Sequence, residues 1–138
     1  MDLVQKSIEK IKKEVGENVL VVAVSKTKPV DAIKSVYKTG HRDFGENKVQ
    51  EMTSKHNDLP KDINWHMIGH IQTNKVKYLA PYVSLIHSLD SLKLANEINK
   101  QAIKNDRFII CLIHYRISSE EKKFVLKENE IIEMINLE

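Results

Sequence analysis

The chain has 138 residues, enough for one domain with a real core and too few for two comfortable ones. Hydrophobic residues make up 41% and charged residues 30%, the balance of an ordinary globular protein, and the formal net charge is only +3. Lysines and acids are interspersed with no basic stripe or Arg-rich arm, which argues against a nucleic-acid partner, and no apolar run approaches the length of a membrane span.

Leu3, Ile8, Ile11 and Val15 recur at helical spacing with Lys and Glu between them, which predicts an amphipathic helix over 2–15 that Gly16 ends. The same N-terminal stretch lacks the uninterrupted apolar core of a signal peptide, and the lone Cys111 can make no internal disulfide. Together these features predict a cytoplasmic protein. Residues 19–25, VLVVAVS, form a β-favouring run that is apolar on both faces, the pattern of a strand buried on both sides in a parallel sheet. Pro29 and Asp31 suit the first turn of a helix and Gly40 its exit. The alternation then repeats: a strand over 42–46, a helix over 48–57, a strand over 64–69, and a helix from about Thr73 to Leu79. Beyond Pro81 come the strand VSLIHSLD, the helix SLKLANEINKQAIKN, the strand RFIICLIHYRI and a last helix over 127–137. Strand and helix thus alternate five times after an opening helix, implying right-handed βαβ units and a parallel sheet in a single domain, 1–138.

Two α/β architectures fit that order, an open doubly wound sheet or a (β/α) barrel. The phosphate fingerprints of the open folds, GxGxxG and GxxxxGK[ST], are absent. A full barrel takes eight units and about 250 residues, so the five units here supply only part of one.

Both architectures place ligands at the C-terminal ends of their strands. Lys26 lies where the first strand ends. A lysine that attacks a carbonyl must be neutral, and with an ordinary pKa of about 10.4 only roughly one in 2,500 is neutral at pH 7. Apolar walls and a nearby like charge both favour the neutral form, and the Val-rich strand and Lys28 offer both, Pro29 biasing Lys28 toward extended geometry on the same side. A polar strand-to-helix turn with solvated lysines is the plainer alternative. Asn47, at the end of the second strand, fits a helix N-cap with Gln50 as its partner, and its carboxamide would equally orient a ligand hydroxyl. His66 and His70 are four apart, but the Glu of the helical HExxH zinc arrangement is missing, so no metal site is predicted. His66, on the strand beside Trp65, either contacts a ligand ring or bonds within the core. Asp90 is most simply the cap of the next helix, and Cys111 reads as core.

Jointly, VAVSKTKP, FGENKVQE, WHMIGHIQTNK and HSLDS resemble, in order and spacing up to about Leu112, the signature segments of the pyridoxal-phosphate homeostasis proteins. These are single-domain, TIM-like PLP-binding barrels related to the N-terminal domain of alanine racemase. The resemblance implies pyridoxal 5′-phosphate (PLP) as cofactor, held as a Schiff base on Lys26, with Asn47 lining the cofactor and His66 facing the same mouth. It implies a carrier in PLP homeostasis without substantial catalysis of its own and with no catalytic residue. A racemase-type enzyme is the weaker implication, because its opposing tyrosine comes from a second domain. The family's fifth strand continues into a segment with lysine followed shortly by glycine; here Lys123 keeps the first and Val125 replaces the second. The sequence ends at Glu138, before the family's last three strands, which hold the cofactor's phosphate and pyridine nitrogen. The expectation is therefore an incomplete barrel, with a weakly binding remnant as the alternative to a carrier, and with self-association through its open sheet edges.

Overall fold

The computed structural model describes residues 3–114. Its strands are β1 (Ala23–Val24), β2 (Asp43–Glu46), β3 (Asn64–Met67), β4 (Leu85–Leu89) and β5 (Ile110–Ile113). Its helices are α1 (Leu3–Val15), α2 (Val30–Tyr37), α3 (Val49–Asp58), α4 (Val76–Leu79), entered through a 3-10 turn at Thr73–Lys75, and α5 (Leu92–Lys104). Gly16 and Gly40, the expected helix stops, both take left-handed φ values, 83° and 93°, which a side chain disfavours.

All strand pairs are parallel, and the spatial order β1-β2-β3-β4-β5 equals the chain order. A doubly wound sheet requires a point where the order reverses. Here every crossover steps the same way, so right-handed connections put the helices on one face, as in a barrel wall. That settles the choice between the two architectures in favour of the barrel type.

The core lies between the helices and one face of the sheet. Phe44, Trp65, Met67 and Ile86 alternate onto that face and meet Ile33 of α2, Met52 of α3, Leu79 of α4 and Leu94 of α5, all buried. The other face would line the barrel interior. Its side chains from Val24, Ile110 and Leu112 are 54%, 65% and 49% exposed.

β1 departs furthest from expectation. Residues 19–22 lie outside the ladder, and only Ala23 and Val24 pair, with Phe44 and Gly45. Among the described residues β1 ends the sheet and β2 begins only at Asp43, so the residues upstream of β1 have no described strand to bond, and Val19 and Leu20 are exposed. The strand is not buried on both sides: Val24 is 54% exposed, and no opposite wall covers its inner face among the described residues. β5 starts at Ile110 rather than 107: the Arg107 guanidinium instead donates to the carbonyls of Ala80 (2.5 Å) and Val83 (2.8 Å), tying the loop beneath α4. The end of the predicted fifth strand, Lys123, Val125 and the predicted helix over 127–137 lie outside the described residues.

Candidate functional site

Parallel strands in this order bring their C-terminal ends to one rim. Lys26 follows β1, Asn47 follows β2, His70 lies three residues beyond β3 and Asp90 follows β4. Lys26 is exposed, and its amine makes no hydrogen bond or ion pair among the described residues. The apolar walls expected around it stop at Val24. Lys28 does not run on beside it in an extended strand, because the chain turns: the Lys28 amide donates to the Ser25 carbonyl at 3.1 Å, and Thr27 adopts a left-handed φ of 64°. Lys28 instead lines a cleft with Val4, Ala32 and Ser35, on the side of α1 and α2.

Asn47 is not the helix cap. α3 begins one residue later than expected, with Lys48 at the N-cap position and no side-chain capping bond, and Asn47 keeps its place just after β2. Asp90 is not a cap either. Ser91 takes that role, accepting from the Leu94 amide at 3.0 Å, and the buried Asp90 accepts from His70 Nδ1 at 3.0 Å. His66 and His70 therefore have different partners and do not converge.

His66 points into the barrel side, level with Val24 and Gly45 in the ladder. It is 2% exposed, with Nε2 3.0 Å from Asp43 Oδ1 and Nδ1 3.0 Å from His87 Nε2. A carboxylate only accepts, so His66 Nε2 carries the proton toward Asp43, while His66 Nδ1 and His87 Nε2 share a single proton between them. Burial, with the neighbouring His66, holds His87 below the ordinary histidine range. Of the three residues the resemblance names, Lys26 and Asn47 share the rim, and His66 sits one level below it.

Beneath the Lys26 turn, on the helix side, lies a charged group that the sequence reading missed. Glu46 is fully buried and Lys55 is 7% exposed. The Lys55 ammonium donates to both Glu46 oxygens at 3.0 Å, to Glu51 Oε1 at 3.2 Å and to the Ser25 carbonyl at 2.8 Å. The Ser25 hydroxyl donates to the Glu46 carboxylate, and the Thr27 amide donates to Glu51 Oε1 at 2.7 Å. Burial pushes the Glu46 carboxyl up, while the Thr27 amide chiefly pulls Glu51 down. A signal was present: Val49, Met52 and Lys55 recur at i, i+3 and i+6, placing a lysine in the buried stripe of α3.

A parallel sheet wound in chain order, with its strand ends gathered at one rim, defines part of a TIM-like (β/α) barrel. An alanine racemase from Clostridium difficile 630 shares that fold, with a TM-score of 0.73 at 18% identity over 100% of this chain and 38% of its own. PipY of Synechococcus elongatus, solved with PLP bound, superposes with a TM-score of 0.84 at 28% identity, covering 96% of this chain and 62% of its own. The pyridoxal phosphate homeostasis protein of Aquifex aeolicus is 43% identical over 125 residues, 89% of this chain and 54% of its own length. The chain belongs to the pyridoxal phosphate homeostasis protein family. No protein-family model matches the sequence. The chain spans about half the length of the curated relatives it matches.

Proposed function

We propose that this chain carries PLP in intracellular PLP homeostasis, linking it covalently to Lys26, and that it does so without substantial catalysis of its own. The observation that carries the reading is the position of Lys26: an exposed amine without a partner among the described residues, on a turn at the strand-end rim. Membership of a family in which PipY is solved with PLP bound supports it.

The described residues fit one end of such a cofactor. PLP supplies an aldehyde that condenses with a primary amine, releasing water, and Lys26 offers that amine. Gly69, whose missing side chain lets the loop after β3 lie against the Asn47 backbone, leaves no Cβ at that point of the rim. His66, held by Asp43 and His87, backs the site from the inner face. The resemblance assigns the grip on phosphate and pyridine nitrogen to later strands, so the described residues answer for the aldehyde end of the cofactor alone. A cytoplasmic setting accords with the single half-buried Cys111, whose thiol burial pushes up to about 11, and among the described residues no helix is long and apolar enough to cross a membrane.

The test is borohydride reduction of the PLP-treated protein followed by peptide mapping. The pyridoxyl group is expected on Lys26, and Lys26→Ala is expected to lose the visible absorbance band with an unchanged far-UV circular dichroism spectrum. A label spread over many lysines, or robust Lys26-dependent racemisation of alanine, would defeat the reading.

A further inference from the structure

The turn bearing Lys26 is fastened on both sides of that residue, and each fastening leads to Lys55. On the N-terminal side, Ser25 continues the ladder through its amide to the Gly45 carbonyl at 2.9 Å, its hydroxyl reaches Glu46, and its carbonyl accepts from Lys55 at 2.8 Å. On the C-terminal side, the Thr27 amide is held at 2.7 Å by Glu51, which Lys55 binds at 3.2 Å. Thr27 is a β-branched residue with a left-handed φ of 64°, a conformation that persists only where its surroundings hold it. Lys26 itself makes no bond to any of these groups. The network therefore fixes the backbone from which the Lys26 side chain projects and leaves its amine unoccupied.

We infer that Lys55, acting through Glu46 and Glu51, is the positioning residue for Lys26, setting the 25–27 turn so that the amine meets the PLP aldehyde at the rim. The inference rests on the reading of Lys26 as the PLP-bearing lysine. It assigns Lys55 no contact with the cofactor. An ordinary buried ion pair would stabilise the fold and leave the behaviour of Lys26 unchanged; a positioning network also sets how well PLP is held.

The experiment titrates PLP, by its visible absorbance, into the full chain as wild type, Lys26→Ala, Lys55→Met, Glu51→Ala and Glu51→Gln. In parallel, exchange of the Thr27 amide is measured without PLP. Glu51 is partly exposed, so its variants keep the fold even where Lys55→Met does not. Losing a charge-assisted hydrogen bond at the turn is expected to weaken PLP binding about tenfold or more in Glu51→Ala, to shift the pH at which the band changes, and to speed Thr27 exchange. Glu51→Gln, whose side-chain oxygen still accepts from Thr27, is expected to recover most of the affinity. A Lys26-dependent band with wild-type affinity and pH profile in folded Glu51→Ala and Lys55→Met would overturn the inference. Absence of any Lys26-dependent band in the wild type would instead overturn the reading beneath it, and Thr27 exchange would still report whether Glu51 holds the turn.

Discussion

Gly69 lies so close to the backbone of Asn47 that no side chain fits between them. A Cβ on Gly69 would come within 2.8 Å of Asn47 Cα and 2.9 Å of its carbonyl carbon. These are backbone atoms, which cannot swing aside as a flexible side chain can. The loop is also held from behind, because the Ser88 hydroxyl donates to the Gly69 carbonyl at 2.6 Å. Gly69→Ala must therefore push the ends of β2 and β3 apart. It is expected to destabilise the fold by about 1–3 kcal/mol, the range for an overpacked site, and to displace Asn47 from the rim. An unchanged urea midpoint would show that the loop has slack that this close approach denies.

Glu46 and Lys55 make the second prediction. Removing one member of a buried ion pair costs about 3–5 kcal/mol, because the survivor is left charged without a partner, whereas replacing both by apolar groups is often nearly neutral. Lys55→Met is expected to lower stability by that amount at neutral pH, and Lys55→Met with Glu46→Leu to recover a large part of it. The Glu46 carboxyl is already pushed up by burial. Without Lys55 it takes a proton more readily, so the loss in Lys55→Met is expected to shrink toward mildly acidic pH. Urea denaturation of the three proteins at two pH values checks both parts. Equal loss in the single and double variants would mean that the pair does not act as a unit.

Acidification acts on three histidines in the same direction. His41, His56 and His87 are all held below the ordinary value of 6.5, in each case chiefly by burial, which disfavours the charged form. Near and below that value the unfolded chain binds more protons at these positions than the folded one, so stability falls as pH drops through the window. The raised Glu46 works with the opposite sign at lower pH, where folding favours its protonated form. His56 gives a clean way to isolate the histidine share. It stacks on Tyr82 with ring centroids 3.9 Å apart, and its Nδ1 is buried without a hydrogen-bond partner among the described residues. His56→Phe keeps the stack and removes the charge, so the urea midpoint is expected to fall less between pH 7 and about 5.5 than in the wild type. An identical fall would exclude His56 as a contributor.

Much of the fold was legible because buried strands and helix stripes impose periods on the sequence. Trp65 and Met67, two apart, mark the helix-facing side of β3, and Leu94, Ile98 and Ala102 mark the buried stripe of α5. β1 was overread because an apolar run does not say whether a partner strand extends beside it; Val19 and Leu20 have the composition of a strand and lie beyond the start of β2. The rim was read in part. Lys26 and Asn47 follow from their places at strand ends, but the pairings His70 with Asp90 and His66 with His87 join residues about twenty apart and depend on register between strands. The Glu46–Lys55 group was hidden for another reason: in a chain with 30% charged residues, one lysine and one glutamate look solvated until the sheet and α3 are brought together.

The last prediction concerns the two ends of the sheet. In the order β1-β2-β3-β4-β5, β1 and β5 each have a strand neighbour on one side only among the described residues. Beside β5, Phe108 is fully exposed, Ile110 is 65% exposed and Leu112 is 49% exposed; on β1, Val24 is 54% exposed. At about 25 cal/mol per Å² of apolar surface, leaving several such side chains in water forgoes several kcal/mol, comparable with the whole stability of a small domain. A terminal strand also offers unpaired N–H and C=O groups to any second strand. A polypeptide of these 138 residues is therefore expected to be marginally stable alone and to associate with itself as its concentration rises. Light scattering over a concentration series, with urea denaturation at each concentration, tests this. Ile110→Lys, which places a charge on the uncovered face, is expected to reduce association without disturbing the helix-side core, since Ile110 points away from it. A monomer at every concentration with a sharp, high urea midpoint would mean that five β/α units suffice as an open sheet, and that the uncovered inner face carries no drive to pair.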